Sequence, residues 1–320
     1  MLNVFITVDT EIWCNGWSSL DHNFPDYFKK YIYGPTVKGN FALPETLKIL
    51  NDYDLPAVFF VEPLFSARFG LEPLSEIVGL IKKSNQEIQL HLHPEWVNEV
   101  GDELLTGVTE KSPNMSAFDQ KQQSRLISWG LERLGQAGVE NINAFRAGSY
   151  TANRNTLRAL AENGLMFDSS YNFASDHGVA DIAQGQVLTQ PCHLDGVYEY
   201  PVSIIQNKRK KRILQITACS YQEFVSCLNK AYELQLDSIV IVTHNFELLS
   251  PNKECVDRLV HQRFIKLCQF LADNKDRFNV RGFHDLIPIN INKQPDIIKG
   301  SFLSAGLRTG EQILRRVCYR

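Results

Sequence analysis

The sequence predicts an α/β protein, a single domain whose parallel sheet curls into a distorted (β/α) barrel, and three observations predict it. Strand-like apolar runs recur along the chain, helical patterns alternate with many of them, and polar residues with chemical capability collect just past the strand ends. Parallel strands need long crossovers, which the intervening helices supply. In a barrel of this kind the chemistry sits at the carboxyl ends of the strands.

The strands expected are 4–8, 57–61, 88–92, 144–147, 166–169, 198–205, 213–217, 238–243 and 279–283. The clearest helix is 119–137, with Ser116 and Asp119 able to cap its start and Gly138 after its end. Another, 151–163, starts at Thr151 as cap, carries Leu157 and Leu160, and stops at Gly164. Phe224, Leu228 and Ala231 mark a third, and Val256, Leu259, Val260 and Leu267 a fourth. Segments 97–118 and 172–195 are long and polar, and leave strand ends on the expected active face. They read equally as substrate walls or as plain excursions. Periodicity fades beyond Leu286, so the organisation expected is one barrel over 1–290 and a C-terminal tail over 291–320.

At 320 residues the chain can bury a large core within one domain, and its 44% hydrophobic and 22% charged content is that of an ordinary globular protein. A net charge of -3 argues against nucleic acid as a partner. Seven scattered cysteines without a Cys-x-x-Cys pair fit free thiols in a reducing compartment. No secretory signal is visible, and no apolar run reaches the roughly 20 residues of a membrane span. These features lead to the expectation of a cytoplasmic enzyme; the oligomeric state is not legible.

The chemistry starts at His91-Leu-His93. In a strand, positions i and i+2 share a face, so the two imidazoles aim at one point. The first strand runs into Asp9-Thr10-Glu11. Two histidines and a carboxylate form a divalent-metal ligand set, so Glu11, His91 and His93 are the expected ligands. Zn²⁺ is the ion expected first, with Co²⁺, Ni²⁺ and Fe²⁺ also compatible. Such an ion would bring the pKa of water toward roughly 7 and polarise a carbonyl. Asp9 is the expected general base, and Arg146 would keep it ionised and oriented. His244, ending another apolar run, is the expected general acid, aligned by a carboxylate such as Asp168. The set describes metal-assisted hydrolysis of an amide or ester.

Around it, Trp13, Trp17 and Trp96 suit stacking on a sugar and suit core packing equally well. The basic run 208–212 reads as a solvated hairpin turn, with phosphate or anionic lipid as the sharper alternative. His22, His177, His193 and His261 read as structural or solvated, and His284 remains a candidate for the rim.

Five segments taken in order resemble the polysaccharide deacetylase superfamily (NodB-like, carbohydrate esterase family 4), whose fold is a distorted (β/α) barrel. They are Thr7-Val-Asp9-Thr-Glu11, Ala57-Val-Phe-Phe-Val61, Glu87-Ile-Gln-Leu-His91-Leu-His93, Phe145-Arg146-Ala-Gly-Ser-Tyr150 and Ile241-Val-Thr-His244. The resemblance implies a base and a metal carboxylate in the first, metal histidines in the third, an arginine contacting the base in the fourth and an acid histidine in the last. Three departures stand out. Thr10 separates the two acids; Glu95 occupies the usual place of the second histidine, leaving His93 or Glu95 as third ligand; and Tyr150 lies one residue beyond the usual tyrosine that serves the oxyanion. Trp13, Trp96 and Tyr150 are the substrate-binding candidates.

The activity implied is metal-dependent removal of an N-acetyl or other acyl group from an amino sugar, whether a carbohydrate or a nucleotide- or lipid-linked precursor. Two rivals stand beside it. One is an amidohydrolase-like C–N hydrolase on a small non-sugar amide, with Asp285 completing its metal set. The other is a catalytically silent barrel that binds a sugar or a partner protein.

Overall fold

Alternating apolar residues build the first strand, and its two faces organise the whole molecule. The computed structural model describes residues 1–14, 17–100, 103–174, 182–183, 185–208, 210–300 and 302–319. His177 lies outside the described residues, as do parts of both long connections. The strands are β1 (Leu2–Thr10), β2 (Pro35–Thr36), β3 (Gly39–Asn40), β4 (Val58–Val61), β5 (Glu87–Leu92), β6 (Ala144–Ala147), β7 (Phe167–Asp168), β8 (Cys192–Leu194), β9 (Val197–Glu199), β10 (Ile204–Asn207), β11 (Lys210–Ile213), β12 (Ser238–His244), β13 (Phe278–Val280) and β14 (Ile298–Lys299). The helices are α1 (Leu20–Phe28), α2 (Leu43–Asp52), α3 (Ser66–Phe69), α4 (Leu71–Lys83), α5 (Gln120–Gln136), α6 (Arg154–Glu162), α7 (Tyr221–Glu233), α8 (Arg258–Ala272) and α9 (Phe302–Cys318).

The main sheet runs β12-β1-β4-β5-β6-β7-β9-β8, with β13 also paired to β1. Its pairings are parallel except for the β8–β9 hairpin. The sheet curls into a half-barrel that irregular backbone closes: Ser203 N donates to Val240 O at 3.1 Å and Ile216 N to Val242 O at 3.1 Å. This is the distorted (β/α) barrel expected, in a single domain.

The two-residue period divides the core. On β1, Val4, Ile6 and Val8 face the helical layer, whereas Phe5 faces the interior with Phe60, Phe167, Tyr200 and Phe283. Thr7 and Asp9 continue that interior face toward the carboxyl end of the strand. On β5, Leu90 and Leu92 pack outward, which turns Gln89 and His91 inward. Burial of the apolar face therefore sets the register, and a slip of one residue would send the histidines into the helical layer.

Helix α5 starts at Asp119 with a reciprocal capping box to Gln122, an arrangement that contributes about 1 kcal/mol. For α6 the cap is Asn153, paired with Thr156, and not Thr151; the Thr151 hydroxyl instead donates to Gly148 O and accepts from Met115 N. Expected strand 198–205 is two strands, β9 and β10, separated by 200–203, where Pro201 has no N–H to give to a ladder. At 213–217 the strand ends at Ile213 and irregular backbone follows. Expected strand 279–283 stops at Val280, and Phe283 turns into the barrel to stack on Phe5 at 4.9 Å. The 172–195 connection contains β8, and the tail over 291–320 contains β14 and the docked helix α9. Among the described residues no helix is long and apolar enough to cross a membrane.

Candidate metal centre and active site

Three donor groups converge where β1 and β5 end. Side-chain donor atoms of Glu11, His91 and His93 lie within 4.8 Å of one another, and all three side chains are largely closed to solvent. His91 Nδ1 is 2.8 Å from the Arg146 carbonyl, which can only accept, so Nδ1 carries the proton and Nε2 presents a lone pair. That Nε2 is buried, has no hydrogen-bond partner and stands 3.6 Å from Glu11 Oε2. His93 Nε2 meets the same carboxylate oxygen directly. Its Nδ1 is 3.4 Å from Glu95 Oε1, the back-side carboxylate contact typical of a ligating histidine. Glu95 thus stands behind His93, and Glu11, His91 and His93 form the converging set. An orphaned buried imidazole nitrogen beside a carboxylate and a second imidazole fits a divalent metal.

Electrostatics around Glu11 point the same way. Burial alone would raise its carboxyl, but the charge of His93, the contact His93 makes with it and the charge of His244 hold it well below the usual carboxylate range. Trp13 Nε1 donates to Glu11 Oε1 at 2.6 Å and fixes the carboxylate from the cleft side. Behind His93 the backbone comes close: a Cβ on Gly148 would lie 2.8 Å from three atoms of the ring.

Asp9 and His244 flank these groups. Arg146, fully buried, bonds Asp9 Oδ1 at 2.6 Å through Nη1. Its remaining donors reach the Thr7 hydroxyl and the Ser169 carbonyl and hydroxyl, so the guanidinium is held from several sides above the Phe60 ring. His244 Nε2 lies 3.6 Å from Glu11 Oε1, and its Nδ1 lies 2.9 Å from Glu247 Oε1. Burial opposes the imidazolium, but Glu247, by hydrogen bond and charge, with help from Glu11 and Asp9, takes the His244 pKa up to about 9.

Tyr150 follows Arg146 on a strained turn. Ser149 and Tyr150 are consecutive left-handed residues, at φ 51° and 58°, and neither is glycine. Such conformations cost of order 1–2 kcal/mol each and cluster at functional sites. The Tyr150 hydroxyl is buried without a partner, and burial together with the Asp9 charge raises its pKa.

Glu11 and His93 open onto a cleft of about 340 Å³ lined also by Trp13, Trp17, Glu62 and Glu95, among others. Trp13 is half exposed there and packs edge-on against Phe246. Trp96 also borders the cleft, but it is 2% exposed and packed against Trp17, Phe65 and Phe69, so packing claims most of its surface. Burial pushes the Cys14 thiol up to about 12, which leaves no reactive thiolate at this wall.

Two expected placements are not met. Asp168 does not align His244; it accepts from Ser170 Oγ at 2.5 Å and forms a buried pair with Glu199, while Glu247 takes the place beside His244. His284 and Asp285 are not on this rim. β13 pairs with the first residues of β1, and His284 contacts Glu87, the first residue of β5, so both lie at the opposite end of the barrel. Asp285 therefore cannot complete a metal set with His91 and His93, which removes the amidohydrolase-like reading.

Sequence reasoning also passed over three residues. Glu247 sits one turn beyond His244, the spacing that brings a carboxylate back onto an imidazole. Glu62 directly follows β4 and lines the cleft, and the strand-end rule that found Asp9 would have found it; burial raises it to about 8. Gly148 carries no chemical signal of its own.

No protein-family profile matches the sequence, and no curated protein matches it. Among solved structures, the chain is similar to a Mycobacterium smegmatis protein assigned as a polysaccharide deacetylase. The identity is 18%, over 92% of this chain and 95% of that one, with a TM-score of 0.58, and the likeness shows the fold. It is also similar, at a TM-score of 0.43 and 12% identity, to a family 4 carbohydrate esterase from Streptomyces lividans, over 87% and 91% of the two chains. A carbohydrate esterase family 4 pseudoenzyme from Bacillus anthracis matches at a TM-score of 0.43 and 10% identity, over 86% of this chain and 62% of that one.

Proposed function

We propose that this chain, which has the polysaccharide-deacetylase fold, is a divalent-metal-dependent hydrolase that removes an N-acetyl group from an amino sugar. The observation that carries the reading is the Glu11–His91–His93 cluster with its orphaned His91 Nε2. The M. smegmatis neighbour, assigned as a polysaccharide deacetylase, supports a sugar substrate. The ordered motifs from Asp9 to His244 support it too.

Glu11, His91 and His93 would hold the ion, with Zn²⁺ first and Co²⁺, Ni²⁺ or Fe²⁺ as alternatives. When bound, it supplies Lewis acidity toward the amide carbonyl and the attacking water. The chain's own residues do the rest. Asp9, oriented by Arg146, accepts the proton of the water as its oxygen adds to the carbonyl carbon. The Tyr150 hydroxyl, without a protein partner, donates to the oxygen that gains negative charge. His244, held at Nδ1 by Glu247, gives a proton to the sugar nitrogen as the C–N bond breaks, releasing acetate and a free amine. Trp13, at the open edge of the cleft, offers an indole face to the sugar ring.

We place the reaction in the cytoplasm. All seven cysteines are free, in keeping with a reducing compartment.

The test joins metal analysis to turnover. Purified protein should carry about one equivalent of metal per chain, lost in His91→Ala, and should release acetate from one member of a panel of N-acetylated sugars and their nucleotide- or lipid-linked forms. Asp9→Asn should retain metal and lose turnover. Wild-type protein that takes up no metal after reconstitution, yet binds glycans, would replace this reading with a silent binding barrel.

A further inference from the structure

The C-terminal helix α9 is docked the wrong way round for an ordinary surface helix. Its polar side faces the protein: Arg308 lies 3.6 Å from Glu223, Glu311 bonds Arg263 at 2.6 Å, and Arg315 bonds Asp257 at 2.5 Å. Tyr319, just beyond its end, accepts from Arg258 N and donates to Val256 O. Its apolar side faces out. Leu307, Ile313, Leu314 and Val317 are between 50% and 71% exposed, and Gly306 and Gly310 fall within the same helical arc. A one-sided row of large aliphatic side chains in water marks an interaction surface.

The position of the helix matters as much as its polarity. Glu223 belongs to the capping box of α7, and Asp257 is the N-cap of α8. In a (β/α) barrel the helices start on the face where the strands end, so α9 lies across that rim, where the metal cluster also sits. The loop leading to Asp257 begins at His244. Its Lys253 stands over the Phe246 ring at 4.8 Å, and Phe246 packs on Trp13 at the mouth of the cleft.

Cations border the apolar face. Arg316 is exposed at its polar edge. The β2–β3 hairpin meets the end of α9 in a cleft lined by Val37, Lys38, Arg258, Cys318 and Tyr319; Val37 is wholly exposed at the hairpin tip, and Lys38 and Arg258 are exposed beside it. At the other end, β14 leads into α9 with Lys299 exposed, and pairs with β10, whose hairpin carries exposed Lys210. Within α9, Arg308 and Arg315 are engaged by Glu223 and Asp257, so among the described residues of the helix Arg316 is the arginine that reaches solvent.

We propose that α9 and the Val37 hairpin tip form a docking surface for an anionic lipid bilayer, with α9 lying in the plane of the interface. Aliphatic side chains on one side and cations at the edges are what such an interface selects. A second copy of the chain is the poorer fit, because two basic-rimmed faces would bring like charges together. Docking through α9 turns the catalytic rim toward the lipid. On the deacetylase reading, this selects lipid-linked amino sugars as the substrate class.

Co-sedimentation of the full chain with vesicles tests the docking without reference to activity. Phosphatidylcholine vesicles containing phosphatidylglycerol should pellet the protein, and phosphatidylcholine alone should not. Leu314→Glu with Val317→Glu should abolish pelleting, and Arg316→Gln should weaken it roughly fivefold, the worth of one basic residue at such a surface. Both variants should keep the wild-type melting temperature, since these side chains support no core. Failure of the wild type to pellet with anionic vesicles would overturn the proposal, as would undiminished pelleting of the double variant. A wild-type dimer that the double variant converts to monomer, with no vesicle binding, would assign the face to a second copy. None of these outcomes bears on the hydrolase reading, which stands or falls on metal and acetate.

Discussion

Arg146 Nη1 and Asp9 Oδ1 are 2.6 Å apart in a site where neither side chain is more than 4% exposed. A buried ion pair contributes little net stability, but removing one partner leaves a charge without compensation. Arg146→Met should therefore destabilise the fold by about 3–5 kcal/mol in urea denaturation. Adding Asp9→Asn should recover part of that loss. A double variant no more stable than Arg146→Met alone would show that the pair is not coupled.

The ligand set predicts a selective pattern of metal loss. Glu11→Ala and His91→Ala should each purify with little metal, whereas Asp285→Ala, at the far end of the barrel, should keep the wild-type content. Chelation should lower the wild-type melting temperature and leave that of His91→Ala unchanged, because a ligand that binds only the folded state stabilises it. Elemental analysis and calorimetry read both arms.

Gly148 is the positional test of His93. An alanine Cβ would stand 2.8 Å from the imidazole, so the ring must leave its present position beside Glu11. Gly148→Ala should weaken metal affinity by roughly 10–100-fold, in the range seen when ligand support is lost. Far-UV circular dichroism should stay as in wild type, and unaltered affinity would remove His93 from the ligand set.

As the proposed acid, His244 should set the alkaline limb of the rate profile. Its pKa is raised by folding from 6.5 to about 9: burial opposes the charge, and Glu247 outweighs burial. A general acid must carry its proton, so turnover should fall as pH rises through about 9. The sign for stability is the same. The contribution from the charged imidazole is complete below 6.5 and is lost as pH rises through about 9. Glu247→Gln removes the carboxylate partner and should move the alkaline limb of the rate profile to lower pH. A profile that does not shift would deny His244 the acid role.

Much of this was legible in the sequence because strand ends and two-residue periodicity carry information. Asp9, Glu11, His91 and His93 follow from where apolar runs stop, and the structure brings them together at one rim. Arg146 and His244 follow from the same rule. The choice between His93 and Glu95 did not, because a turn after β5 decides which side chain faces Glu11 and which stands behind. Asp168 was misplaced for a related reason: β7 is only two residues long, and its end lies beside Glu199 of β9. The C-terminal helix was missed because its arginines and glycines interrupt an apolar pattern that spans only one side of the cylinder.

The position of β1 in the sheet also dictates the order in which the molecule can be finished. Its final residues pair with β4 on one side, a short way along the chain, but its other edge waits for β12; the Thr7 hydroxyl reaches the Ile241 carbonyl across a sequence separation of 234 residues. Closing so long a loop is entropically uphill until many contacts form together, which places β12 docking late in folding. During synthesis His244 follows Asp9 and Glu11 only after all the strands and helices between β1 and β12, so the acid proposed here joins the proposed base late. Until then one edge of the central strand stays unpaired, open to any extended segment that reaches it first.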